Sequence, residues 1–128
     1  MVDFESIARS STDIWYDHEC MVIQAQVERL SPNEWEEFER KCLAAPAASQ
    51  ERLAYVLGEI DSPSSAHLLL RLCKSPERET TLTARESLRQ LRFESVKAGA
   101  LSLSSAASGT SINEVLDWFE RSDISLNS

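Results

Sequence analysis

Residues 31–60 read SPNEWEEFERKCLAAPAASQERLAYVLGEI, and residues 62–91 read SPSSAHLLLRLCKSPERETTLTARESLRQL. Laid over one another at a spacing of 31, they match Ser31-Pro32 with Ser62-Pro63 and Cys42 with Cys73, and they set Leu57 and Ile60 on Leu88 and Leu91. One further step brings Leu88 onto Phe119, and Ser49, Thr80 and Ser111 form a series of N-cap candidates with the same spacing. A period near thirty residues marks a repeat architecture, in which each unit buries its apolar face on the next.

Each unit reads as a helical hairpin. Ser-Pro opens a helix well, because the hydroxyl accepts from an otherwise unpartnered amide while Pro at the first helical position lacks an N–H that would have had no partner. Glu34 after Ser31, and Glu114 after Ser111, complete capping boxes. Apolar residues then recur at helical spacing: Leu53, Val56, Leu57, Ile60; Ala66, Leu69, Leu70, Cys73; Ile112, Val115, Leu116, Phe119. The breaks AAPAAS, DSPSS and KSPERET are short enough to fold successive helices back on one another.

Composition agrees with an all-α domain. In 128 residues there are only 3 Gly and 4 Pro, too little punctuation for a sandwich or barrel, while 42% hydrophobic residues suffice for a continuous core. The start MVDFESIARSS lacks a basic stretch followed by an apolar one, and no apolar run approaches membrane-spanning length, so a cytoplasmic location is expected, with no membrane partner. Cys20, Cys42 and Cys73 are an odd number without a C-x-x-C pair, which suits free thiols better than a disulfide framework or a zinc site.

Residues 53–91 resemble the HEAT-like repeat of the phycobilin-lyase type. Val56-Leu57-Gly58-Glu59-Ile60 carries the Ala-Leu-Gly-x-Ile ending of such units, and Ala84 and Leu88 hold the small and large core positions of the next copy. Thr80-Thr81 stands where the pattern has Val-Arg. The resemblance implies a short right-handed α-solenoid of antiparallel helix pairs within one domain, residues 1–128. Its expected parts are N-terminal helices over 1–30, repeats over 31–61 and 62–92, a degenerate third repeat over 93–122 and a tail over 123–128. In the first part, Tyr16, Cys20, Ile23, Val27 and Leu30 share one face, but Ile14, Met21, Val22 and Ala25 make the other face apolar too. A helix apolar on both sides is expected to be covered on both, here by a short capping helix from VDFESIARS.

Candidate chemistry is sparse. Asp17, His18, Glu19 and Cys20 are consecutive, so on a helix they diverge by about 100° each and cannot converge on one ion. Ser10, Ser11, Ser102, Ser104 and Ser105 lack a nucleophile elbow and read as caps and loop residues. Cys42 and Cys73 behave as small hydrophobes, His67 as a surface or rim residue. No glycine-rich phosphate loop is present. No catalytic residue, metal site or cofactor is therefore expected, and the chain is read as a non-enzyme.

Charge carries the remaining signal. The net charge is −8, and residues 1–40 hold ten acids against three arginines, whereas residues 71–97 carry seven basic residues against four glutamates. An acidic surface steers a basic partner at long range. The acidic, Trp-bearing stretches DIWYDHE and LSPNEWEEFE, joined to a short repeat stack, resemble helical immunity proteins of bacterial contact-dependent inhibition and other polymorphic toxin systems. That resemblance implies a protein that binds and neutralises a cognate basic toxin, often a nuclease, as a phosphate mimic would. The candidate contacts are Glu36 and Glu37, with Trp35, Phe38 and Cys42 taking the buried side of their helix; Asp13, Asp17 and Glu19; and Tyr55 and Glu59. Rival readings are an assembly adaptor, a HEAT-like repair glycosylase suggested by Arg85, Arg89 and Arg92, and a lyase-related protein. Net acidity and small size weigh against nucleic acid as a partner.

Overall fold

A computed structural model describes residues 2–105 and is all-helical across them, with no strand among the described residues. The helices are α1 (Phe4–Arg9), α2 (Thr12–Ile14), a π-helical turn (Trp15–Glu19) that runs on into α3 (Cys20–Glu28), α4 (Pro32–Ala44), α5 (Ala47–Leu57), α6 (Pro63–Leu72), α7 (Arg78–Gln90) and α8 (Phe93–Ser105). The expected capping box at Ser111, the stripe ending at Phe119 and the tail lie outside the described residues. Among those described, no helix is long and apolar enough to cross a membrane.

Helix starts follow the cap chemistry. Ser31 Oγ accepts from Glu34 N at 3.2 Å while Ser31 N donates to Glu34 Oε1 at 2.9 Å, a complete capping box that holds the Glu34 carboxyl below its usual range. Ser62 Oγ accepts from Ser65 N at 3.1 Å, with Pro63 opening α6. Ser49 and Thr80, in contrast, do not cap. The N-cap positions of α5 and α7 are Pro46 and Glu77, and Ser49 and Thr80 lie inside the first turns, both buried. Pro46 and Glu77 supply the extended entry geometry three residues earlier, and the Thr80 hydroxyl bonds Ala47 O of α5 instead of an amide of its own helix.

The 31-residue offset survives this correction. α4 and α6 begin at Pro32 and Pro63, and α5 and α7 at Ala47 and Arg78. The most extensive packing is of α6 on α8 and of α5 on α7, each helix against its second successor. Two side-chain bonds align α5 with α7: Thr80 Oγ1 donates to Ala47 O at 3.3 Å and Ser87 Oγ to Ala54 O at 2.7 Å. Both span 33 residues, so the two helices run in the same direction. Glycines permit the close approach. A Cβ on Gly58 would lie 2.7 Å from Ser87 Cβ, and one on Gly99 in α8 would lie 2.7 Å from the His67 backbone nitrogen of α6. Asp61, between α5 and α6, accepts from Arg92 N at 3.1 Å and so secures the start of α8.

Leu53, Leu57, Leu68, Leu69, Leu72, Ala84 and Leu88 are fully or almost fully buried, and burial of each leucine contributes about 1.5–3 kcal/mol. α6 buries Ser65, Ala66, Leu68, Leu69, Leu70 and Leu72, more than one face, because α5, α7 and α8 surround it. At the amino-terminal end α1 packs on α5, with Phe4 also against Phe38 of α4 at 6.0 Å between ring centroids.

Candidate functional site

The candidate surface is produced by the π-helical turn. Counting back from Val27 and Ile23 in α-helical steps places Cys20 and then Tyr16 on the buried face. Cys20 N instead reaches Trp15 O, five residues back, and the one-residue insertion rotates everything before it. Trp15 is therefore fully buried, and Tyr16 is 50% exposed. The expectation that Tyr16 belongs to the core is corrected: Trp15 occupies that place. The expectation of cover on both faces fails in the same segment, since Ile14 and Met21 are 53% and 62% exposed.

Arg52 of α5 fixes Trp15 from behind. Its guanidinium carbon lies 5.3 Å from the indole centroid, and Nη1 donates to Ile7 O and to Ser10 O, each at 2.7 Å. One side chain thus clamps the end of α1, whose last carbonyls have no helical partner, onto α5 and the buried Trp.

Turned outward, Tyr16 meets Tyr55 of α5 edge to face, with ring centroids 5.3 Å apart and planes at 88°. Beside this pair is a cleft of about 290 Å³ that Tyr16, Met21, Gln24, Tyr55 and Glu59 line, with Cys20 and Val56 at its base. The Tyr55 hydroxyl is pushed above its usual pKa, first by partial burial and then by the neighbouring Cys20, Glu59 and Tyr16. Asp13, Asp17 and Glu59 are exposed, and of the three Glu59 lines the cleft.

The other expected contact residues divide. Glu19 is half-buried, and its carboxylate accepts from Ser6 Oγ at 2.6 Å, which ties it to α1 and removes it from the free acidic rim. Glu37 reaches water but forms an ion pair with Arg40 and approaches Lys41 Nζ at 4.0 Å; the bond to Arg40 holds its carboxyl below the usual range. Glu36, one position earlier on α4, is exposed. Tyr55 is joined to Tyr16 directly, whereas Glu36 and Glu37 are on a different helix from both.

A second polar cluster links α4 and α6. Glu39 Oε1 lies 3.3 Å from His67 Nε2 and Glu39 Oε2 lies 3.7 Å from Arg71 Nη1, at a cleft of about 190 Å³ that Trp35, Pro63 and Ser64 complete. His67 is at the rim, as expected. Glu39 is thereby engaged within the fold and adds nothing to the free acidic surface.

No group of three or more His, Cys, Asp or Glu among the described residues could hold a metal ion. The three thiols are reduced; Cys42 is buried and Cys73 half-buried, and desolvation raises both, Cys73 to about 12. Such thiols are poor nucleophiles near neutral pH. Gln24 and Arg52 escape the sequence reading, and Met21 enters it only as part of a face expected to be covered. Comparison with protein-family models, with curated proteins and with solved structures returns no match.

Proposed function

We propose that this chain is a non-catalytic binding module for a basic protein, and specifically an immunity protein that binds and neutralises a cognate basic toxin. In this reading the helices form a short right-handed solenoid of HEAT-like pairs in the cytoplasm, supported by the 31-residue offset of helix starts and the parallel course of α5 and α7. The observation that carries the function is the exposed Tyr16–Tyr55 pair beside Glu59, on a chain of net charge −8. Interface cores favour rigid aromatic side chains within a polar rim, and rim carboxylates set the association rate.

The test is coexpression with the product of a toxin gene adjacent to that of this protein, read as cell survival, together with binding kinetics on the purified pair. The native chain rescues growth, and raising salt from about 50 to 500 mM slows association at least about tenfold. An Asp17→Lys, Glu59→Lys variant, both positions exposed, associates more slowly while circular dichroism stays unchanged. Absence of both rescue and complex at low salt overturns the reading, and association insensitive to salt removes its electrostatic part.

A further inference from the structure

The cleft beside Tyr16 and Tyr55 has a composition that identifies an occupant. It presents two aromatic rings at right angles, one carboxylate from Glu59 and the side-chain amide of Gln24. Gln24 Nε2 donates to Glu28 Oε1 at 2.9 Å, which leaves the amide its carbonyl oxygen as an acceptor and one further N–H. No basic residue is among those lining the cleft, so Glu59 receives no counter-charge from within it.

We propose that this cleft binds an arginine side chain of the partner protein, with the guanidinium flat against a tyrosine ring and its N–H fork on Glu59. The inference rests on the binding-module reading above. The perpendicular rings form a corner, which accepts a flat cation against one ring face; a stacked pair would present a narrower slot. At about 290 Å³ the cleft falls at the lower edge of the range for small-molecule sites, roughly 300–1,000 Å³, and suits a single long side chain. A planar guanidinium can stack and donate two parallel bonds to one carboxylate, which an ammonium cannot. Arginine is therefore preferred over lysine.

The probe is N-acetyl-arginine amide, titrated into the full chain with tyrosine ring-labelled protein and followed by NMR; the neutral, nearly isosteric N-acetyl-citrulline amide and N-acetyl-lysine amide serve as comparisons. The chain has only two tyrosines, so one Tyr16→Phe variant assigns both rings. Both rings shift saturably with the arginine amide, and the citrulline amide binds at least about tenfold more weakly, as loss of a charge-assisted bond requires. Glu59→Gln, at an exposed position, weakens the arginine amide about three- to tenfold with an unchanged fold. The proposal is overturned if no saturable shift occurs, if citrulline or lysine amide binds equally well, or if Glu59→Gln has no effect. The two readings are separable. A toxin complex that forms while the arginine amide fails removes only this site, and an arginine amide that binds when no basic protein partner does removes the module reading and leaves a guanidinium site.

Discussion

Replacing Gly58 with alanine opposes two effects whose balance the structure decides. The residue has φ −66° and ψ −18°, a conformation alanine adopts freely, so the lower entropy of the unfolded chain favours the variant by about 0.4–1 kcal/mol. Against this, the new methyl carbon would lie 2.7 Å from both Ser87 Cβ and Ser87 Oγ and 3.0 Å from Ser87 Cα. A Cα cannot swing aside as a long side chain can, so α7 must move away from α5. Overpacking of this kind costs about 1–3 kcal/mol. The movement also loosens the bond from Ser87 Oγ to Ala54 O, now 2.7 Å and buried, for a further loss of about 0.5–1.5 kcal/mol. The net expectation is destabilisation by about 1–3 kcal/mol. Urea unfolding followed by circular dichroism should show the midpoint lowered by roughly 1 M with an unchanged slope of about 1–3 kcal/mol/M. In a Ser87→Gly background two of the three close contacts disappear, so the cost of Gly58→Ala should shrink there. A Gly58→Ala chain as stable as the native one, or an equal cost in both backgrounds, would refute the close-approach reasoning.

Trp15→Ala should cost about 3–5 kcal/mol and Tyr16→Ala less than about 1 kcal/mol, measured by the same unfolding curves; the reverse order would mean that the π-helical turn is absent and Tyr16 faces the core. Cys73 keeps its proton in the folded chain up to about pH 12 against an ordinary value of 9.0, while the unfolded chain releases it. Stability is therefore full below pH 9 and declines above it, by at most about 1.4 kcal/mol per pH unit from this group, with Cys42 acting in the same direction. The unfolding midpoint at pH 10 relative to pH 8 reads this decline, and Cys73→Ala should lessen it; an identical pH dependence in that variant would exclude the thiol as a cause.

Much of the helical frame is legible in residue order because its causes are local. Ser31 with Glu34, and Ser62 with Pro63, start helices through groups three residues apart, and the spacing of Leu53, Leu57, Leu69 and Leu88 marks the faces that must be buried. The failures involve partners far along the chain. Ser49 and Thr80 resemble caps until Pro46 and Glu77 take those positions and the Thr80 hydroxyl is drawn into the α5–α7 packing. Glu19 looks free until α1 returns Ser6 to it, and Tyr16 looks buried until an inserted residue in the helix exchanges it with Trp15. A periodicity of 3.6 cannot anticipate a single five-residue bond. Tyr55 and Glu59 are visible as exposed residues, but their junction with Tyr16 depends on that bond.

The packing of α5 on α7 and of α6 on α8 bears on how quickly this part of the chain can find its shape. The bonds that align α5 with α7 close loops of only 33 residues, and those between neighbouring helices close shorter ones. Loop-closure entropy rises slowly with length, and helical domains dominated by such near contacts fold in microseconds to milliseconds. Longer reaches come from the amino-terminal end, where Arg52 bonds Ile7 and Ser10 across 45 and 42 residues. A six-residue α1 is too short to persist unaided, so it docks only after α5 has formed. Among the described helices, α1 is therefore expected to assemble late and to exchange its amide hydrogens early, which hydrogen-exchange NMR would read.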